Sequence, residues 1–99
     1  MAVTKQYLKS KPEVCKVTFA VEAHEAKSVV VVGDFNAWKP KATVLKKQKN
    51  GTFKGTAEIK KDATYQFKYL VDGAYVNEAG ADGFAWNDFA GAENSVLAV

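Results

Sequence analysis

A chain of 99 residues, 47% hydrophobic and 12% aromatic, can build one core and is too apolar to stay disordered; at this size roughly two-thirds of the unfolded surface is buried on folding. The net charge is +3 and every basic residue is a lysine, so arginine, the preferred fork for phosphates and base edges, is missing, which argues against nucleic-acid binding. No apolar run approaches the ~20 residues of a membrane span, the lysine-dotted start does not read as a signal peptide, and the lone Cys15 cannot form an internal disulfide; a cytoplasmic protein with no membrane partner is expected.

Residues 1–11 are polar and read as a flexible N-terminal arm ending at Pro12, with one domain over residues 12–99. From Val14 to Glu22 apolar residues recur at every second position (Cys15, Val17, Phe19, Val21), the period of a half-buried strand. Residues 23–27 form a connection that holds the only histidine, His24. With no cysteine or second histidine nearby, His24 reads as an exposed loop residue and no metal site is expected.

Ser28 to Val32 is a β-branched run closed by Gly33 and reads as a strand covered on both faces. The Gly33-Asp34-Phe35-Asn36 segment that follows supplies turn chemistry: Gly33 can take positive φ, and the Asp34 and Asn36 side chains can bond back to nearby backbone. The turn delivers Trp38, either to a recognition surface or to the edge of the core. Val44 to Lys47 is a short strand, Asn50-Gly51 a hairpin signal, and Thr52 to Ile59 its return. Thr64 to Val71 alternates Tyr65, Phe67, Tyr69 and Val71 against Gln66, Lys68 and Leu70. Asp72-Gly73 signals a second tight hairpin, with Ala74 to Asn77 returning. Residues 78–93 read as a long loop carrying Phe84, Trp86 and Phe89, and 94–99 as a last strand. The expected core includes Val17, Phe19, Val30, Val32, Phe53, Phe67, Tyr69 and Val71. About seven short strands with two tight hairpins and no amphipathic helix describe an all-β fold, an antiparallel β-sandwich that is immunoglobulin-like in layout.

Three segments, Val-Val-Gly-Asp-Phe-Asn-Ala-Trp (31–38), Tyr-Gln-Phe-Lys-Tyr-Leu-Val-Asp-Gly-Ala-Tyr (65–75) and Glu-Asn-Ser-Val-Leu (93–97), resemble the hallmarks of carbohydrate-binding module family 48. This is the early-set β-sandwich at the N-terminus of isoamylases and glycogen branching enzymes, and the glycogen-binding domain of the AMP-activated protein kinase β-subunit. The resemblance spans residues 12–99 and implies a non-catalytic module for α-1,4-glucan or glycogen, without a cofactor, like the non-catalytic N-terminal domain of glycoside hydrolase family 13 enzymes. By the same resemblance the first aromatic sugar platform falls on Trp38. The family lysine falls on Lys68, the second platform on Tyr75, and the asparagine opening the last strand on Asn94. Trp86 and Phe89 stand behind them. Two positions depart: Tyr75 stands where the family often has tryptophan, and Ala90 where the kinase domain has leucine, with Phe89 adjacent as a substitute.

The chemistry of these residue types suits a sugar. A glucan offers an apolar C–H face that flat aromatics cover at low rotamer cost, and a rim of hydroxyls that lysine and asparagine can bond. Catalysis is not expected: glycoside hydrolysis needs two carboxylates fixed across a cleft, and Asp34, Asp72, Asp82 and Asp88 all stand in turn or loop contexts. The alternative is a protein-interaction or structural early-set domain that associates with a separately encoded α-glucan enzyme.

Overall fold

The computed structural model describes residues 2–7, 9–88 and 91–99, the side chain of Ala2 apart. Among the described residues nine strands follow one another: β1 (Ala2–Tyr7), β2 (Val14–Glu22), β3 (Val29–Gly33), β4 (Val44–Lys47), β5 (Thr52–Lys60), β6 (Thr64–Val71), β7 (Ala74–Val76), β8 (Gly83–Asn87) and β9 (Ala92–Ala98). All pairings are antiparallel. One layer runs β1-β2-β5-β4 and the other β4-β3-β6-β9-β8. β4 serves both, because Val44 and Leu45 pair with β3 while Lys46 and Lys47 pair with β5. β3 and β7 pair with the same β6 residues, Tyr69 to Val71; they therefore flank opposite edges, and β7 shares its edge of β6 with β9. Among the described residues no helix is long and apolar enough to cross a membrane.

The layers meet through the residues that alternation points inward. Cys15, Val17, Phe19 and Val21 of β2 are fully buried. Phe19 faces Phe67 at 5.6 Å between ring centroids and Tyr69 at 6.2 Å, both from β6 in the other layer. Edge-to-face and tilted geometries of this kind add to the burial of the rings themselves. Ala26, Val29, Val31, Leu45, Phe53, Ile59 and Leu97 complete the cluster.

The all-β sandwich expected from the pattern is present, with nine strands in place of about seven. The two additional strands are edges. β1 corrects the expected loose arm at residues 2–7, which pair with β2 from Ala2↔Ala20 to Tyr7↔Cys15. Its inward face carries Val3, Lys5 and Tyr7, of which only Val3 packs on the core, so its apolar signal is a single residue. Lys5 instead meets Asp82 at 2.7 Å. Although desolvation pushes the Asp82 carboxyl up, Lys5 and the Ala98 amide together hold it below its ordinary value. β8 lies inside the stretch expected to be a loop. Two core assignments also shift. Val30 pairs with Leu70 and points outward, half-buried, while Val29 and Val31 point in. Val71 is half-buried against the rim of the core.

The link from β7 to β8 is held by a buried polar network. Glu78 is fully buried. Its Oε1 accepts from the Tyr69 hydroxyl at 2.8 Å and its Oε2 from the Gly80 amide at 2.8 Å. The Glu78 amide donates to Ser95 Oγ, which in turn donates to Asn77 Oδ1. Such a network rigidifies a link only while every member keeps a partner. Burial first, then the hydrogen bond to Glu78 and its charge, hold the Tyr69 hydroxyl well above its ordinary pKa of 10.0. A raised folded pKa contributes stability in full below the unfolded value and loses it as pH rises beyond that value. Tyr69→Phe should therefore cost about 1–3 kcal/mol at neutral pH by stranding the carboxylate. In urea melts the gap to wild type should narrow from pH 8 to 11, about one unit past the tyrosine value.

Candidate functional site

The site begins with the turn after β3. Asp34–Asn36 form one 3₁₀ turn, and its three side chains do different work. Phe35 packs against the core, stacked on Phe19 at 5.9 Å and edge-on to Tyr65 at 6.1 Å. Asn36 Nδ2 donates to the Val31 carbonyl and to Thr43 Oγ1, while its Oδ1 accepts from the Gly33 amide. Asp34 faces solvent and accepts two hydrogen bonds through different oxygens: Trp38 Nε1 donates to Oδ1 at 3.0 Å, and the Gln66 amide of β6 donates to Oδ2 at 2.8 Å.

Gly33 corrects the expectation made for it. Its φ is −173°, extended backbone that any residue adopts. The requirement is space: a Cβ there would lie 2.7 Å from the Gln66 carbonyl oxygen and 2.8 Å from Phe67 Cβ. The left-handed residues come later, Ala37 at φ 56° and Trp38 at φ 59°, a conformation a bulky residue takes only when its surroundings hold it there. The Trp38 amide donates to the Gly33 carbonyl at 2.9 Å, and the indole is held by Asp34.

On the sheet itself, the face opposite the core carries the rest. Register places Val32 beside Lys68 and Leu70 beside Tyr75. One step beyond the last β6–β9 pair, Phe67↔Ser95, Lys68 and Asn94 come level. The β6–β7 hairpin has Asp72 at φ 50° and Gly73 at φ 86°, the two left-handed residues of a type I′ turn, so Tyr75 falls next to Lys68 and not a residue out of step. Lys68 Nζ sits 5.8 Å from the Tyr75 ring centroid, within range of cation–π attraction. Although it points away from the core, Lys68 is only 9% exposed. Asn94 is buried, and its Nδ2 donates to Gln66 Oε1 at 3.0 Å.

Trp38, Lys68, Tyr75 and Asn94 thus line one open cleft of about 160 Å³, joined by Asn87 of β8. Tyr75, 65% exposed, leaves most of its ring available. The structure does not bring Trp86 to this cleft. Trp86 pairs with Glu93 and Phe84 with Ser95, on the side of the sheet that carries Leu97 and Phe67. Trp86 and Phe84 are exposed there because β8 lies beyond the covering layer. Phe89, the remaining expected site residue, and Ala90 lie outside the described residues. Asn87 is the cleft residue that strand reasoning missed. The signal for it was present in the alternation of Gly83, Ala85 and Asn87 with Phe84 and Trp86, but it fell in a stretch whose glycines and aspartates read as loop.

With aromatic faces at Trp38 and Tyr75, an ammonium at Lys68 and carboxamides at Asn87 and Asn94, the cleft can stack on an apolar ring face and bond hydroxyls at its rim. Among the described residues no group of three or more potential metal ligands occurs. Gly33→Ala should push β3 off Phe67 and the turn off its seat, at a cost of about 1–3 kcal/mol, measured by chemical denaturation.

Residues 16–99 match a sequence profile described as the glycogen recognition site of AMP-activated protein kinase. No curated protein matches the chain.

Proposed function

The chain belongs to the family of the glycogen recognition site of AMP-activated protein kinase, a glycogen-binding module, and from that premise we propose that it binds α-1,4-glucan chains in the cleft formed by Trp38, Lys68, Tyr75, Asn87 and Asn94. The observation that carries this reading is the convergence of four separately placed residues. Trp38 comes from a turn, Lys68 and Tyr75 from the two arms of a hairpin, and Asn94 from the last strand, yet all four line one cleft. Trp38 and Tyr75 serve as stacking platforms; Lys68, Asn87 and Asn94 bond hydroxyls. The described residues that line the cleft include no carboxylate, which favours binding over hydrolysis, a reaction that needs two.

The sandwich is assigned to the early-set class, like the domain ahead of the barrel in isoamylases, on the strength of the three hallmark segments. The cytoplasmic location is supported by the single buried Cys15, since disulfides mark oxidising compartments. A separately encoded α-glucan enzyme is a fitting protein partner, and the exposed Phe84 and Trp86, on the face away from the cleft, are where such a contact is favoured.

The site is shallow, and ordering a flexible sugar offsets much of the gain. Affinity for maltoheptaose should be on the order of 10 μM to 1 mM, about −4 to −7 kcal/mol. Calorimetry should show that Trp38→Ala weakens binding at least about tenfold with the fold intact, because a few aromatic anchors carry most of the energy. Lys68→Ala should do less, as water replaces its hydrogen bonds. For a neutral ligand, affinity should hardly change between about 50 and 500 mM salt. A steep salt dependence would point to an anionic ligand instead.

A further inference from the structure

The cleft has two sides that share no strand pairing. Trp38 stands on the turn after β3; Asn94 stands on β9. A line of hydrogen bonds joins them by way of Gln66, which takes part through its backbone N–H and its side-chain oxygen. Trp38 Nε1 donates to Asp34 Oδ1 at 3.0 Å, the Gln66 amide donates to Asp34 Oδ2 at 2.8 Å, and Asn94 Nδ2 donates to Gln66 Oε1 at 3.0 Å. Asp34 is the junction. It is not among the cleft-lining residues; the groups it bonds are the Trp38 indole and the Gln66 backbone.

We propose that Asp34 is a positioning residue for glucan binding: its carboxylate pins the Trp38 indole to β6 before the ligand arrives. The proposal rests on the glucan reading of the cleft. Two observations make the pin necessary. Trp38 and Ala37 both stand in the left-handed region, so the backbone beneath the indole is itself held in a sparsely populated conformation. And the indole is on a turn, where the pleat of a sheet does not fix its direction as it fixes Lys68 and Tyr75. A platform free to rotate must be ordered when the sugar binds, and that ordering weakens binding. A platform already fixed avoids that cost. The two oxygens of one carboxylate are well matched to the task, since an ionised carboxylate accepts at both without donating at either. The Phe35 ring, packed against the core one residue on, keeps Asp34 itself from swinging away.

The test uses the chain's only two tryptophans, Trp38 and Trp86. In a Trp86→Phe background the single indole N–H resonance belongs to Trp38. Asp34→Ala is expected to shift that resonance and speed its exchange with water, and to weaken maltoheptaose binding about threefold to tenfold, the range set by the ordering cost. In a Trp38→Phe background, where the platform has no N–H to hold, Asp34→Ala should have less than about a twofold effect on binding. Asp34→Asn, which keeps one acceptor oxygen, guards against loss of folding in the alanine variant and should shift the same resonance in the same direction. An indole resonance and exchange rate unchanged by either Asp34 variant would overturn the proposal, whatever the affinity. So would an equal loss of affinity with and without the Trp38→Phe substitution, which would mark a general structural role. If the wild-type chain binds no maltoheptaose, the glucan reading fails, while the indole measurement still decides whether Asp34 holds the ring.

Discussion

Phe67 and Tyr69 reach into the core from β6, and the pleat that turns them inward turns Lys68 outward between them. Core and cleft are therefore built by the same strand. The inward pair meets Phe19 across the sandwich, which fixes the height and direction of β6; that in turn fixes where the Lys68 ammonium stands relative to Tyr75 and Asn94. A one-residue slip of β6 would exchange the two faces, putting a lysine in the core and an aromatic in the cleft. Several devices oppose the slip: the type I′ turn at Asp72-Gly73, the close seat of Gly33 on Phe67, and the β3 pairing from Val29↔Val71 to Gly33↔Phe67.

Much of this was legible in the amino-acid order, for reasons that differ by element. Central strands such as β2 and β6 carry apolar residues at period two, and β2 buries four of them; that signal is strong. The edges β1 and β8 bury little. β1 contributes Val3 alone to the core, and β8 exposes Phe84 and Trp86; an edge strand is stabilised by backbone pairing to one neighbour, which leaves no mark on composition. For the same reason Asn87 was missed and Trp86 was expected in a cleft it faces away from. Trp86 is a surface aromatic by every local criterion, and only the register Trp86↔Glu93 reveals which surface. Gly33 teaches a related lesson. A glycine before a turn invites the reading of a left-handed φ, yet here the strand partner excludes a side chain, and Ala37 and Trp38 take the left-handed backbone.

Polar contacts were the least legible layer. The Asp34 carboxylate accepts from a backbone amide 32 positions along the chain, and Glu78 is fully buried within a stretch that read as loop. Both carboxylates organise the cleft from outside it. Asp34 holds the turn that presents Trp38; Glu78, with Tyr69, Ser95 and Asn77, holds the link that places β8 and the start of β9. The buried network ties the link to β6 through Tyr69 and to β9 through Ser95, so it sets Tyr75 and Asn94 in relation to each other as the hairpin alone could not. A shallow sugar site gains little energy per contact, and its affinity depends on platforms and donors being in place before the ligand arrives.

On the proposed reading, one face of one sheet, and not the exposed aromatics elsewhere, takes the glucan. Titration of the isotopically labelled chain with maltoheptaose, followed by NMR, tests it directly. Shift changes should concentrate at Trp38, Lys68, Tyr75, Asn87 and Asn94, with the Trp86 indole unmoved. Shifts centred on Phe84 and Trp86, or no shift near the cleft at millimolar sugar, would contradict it.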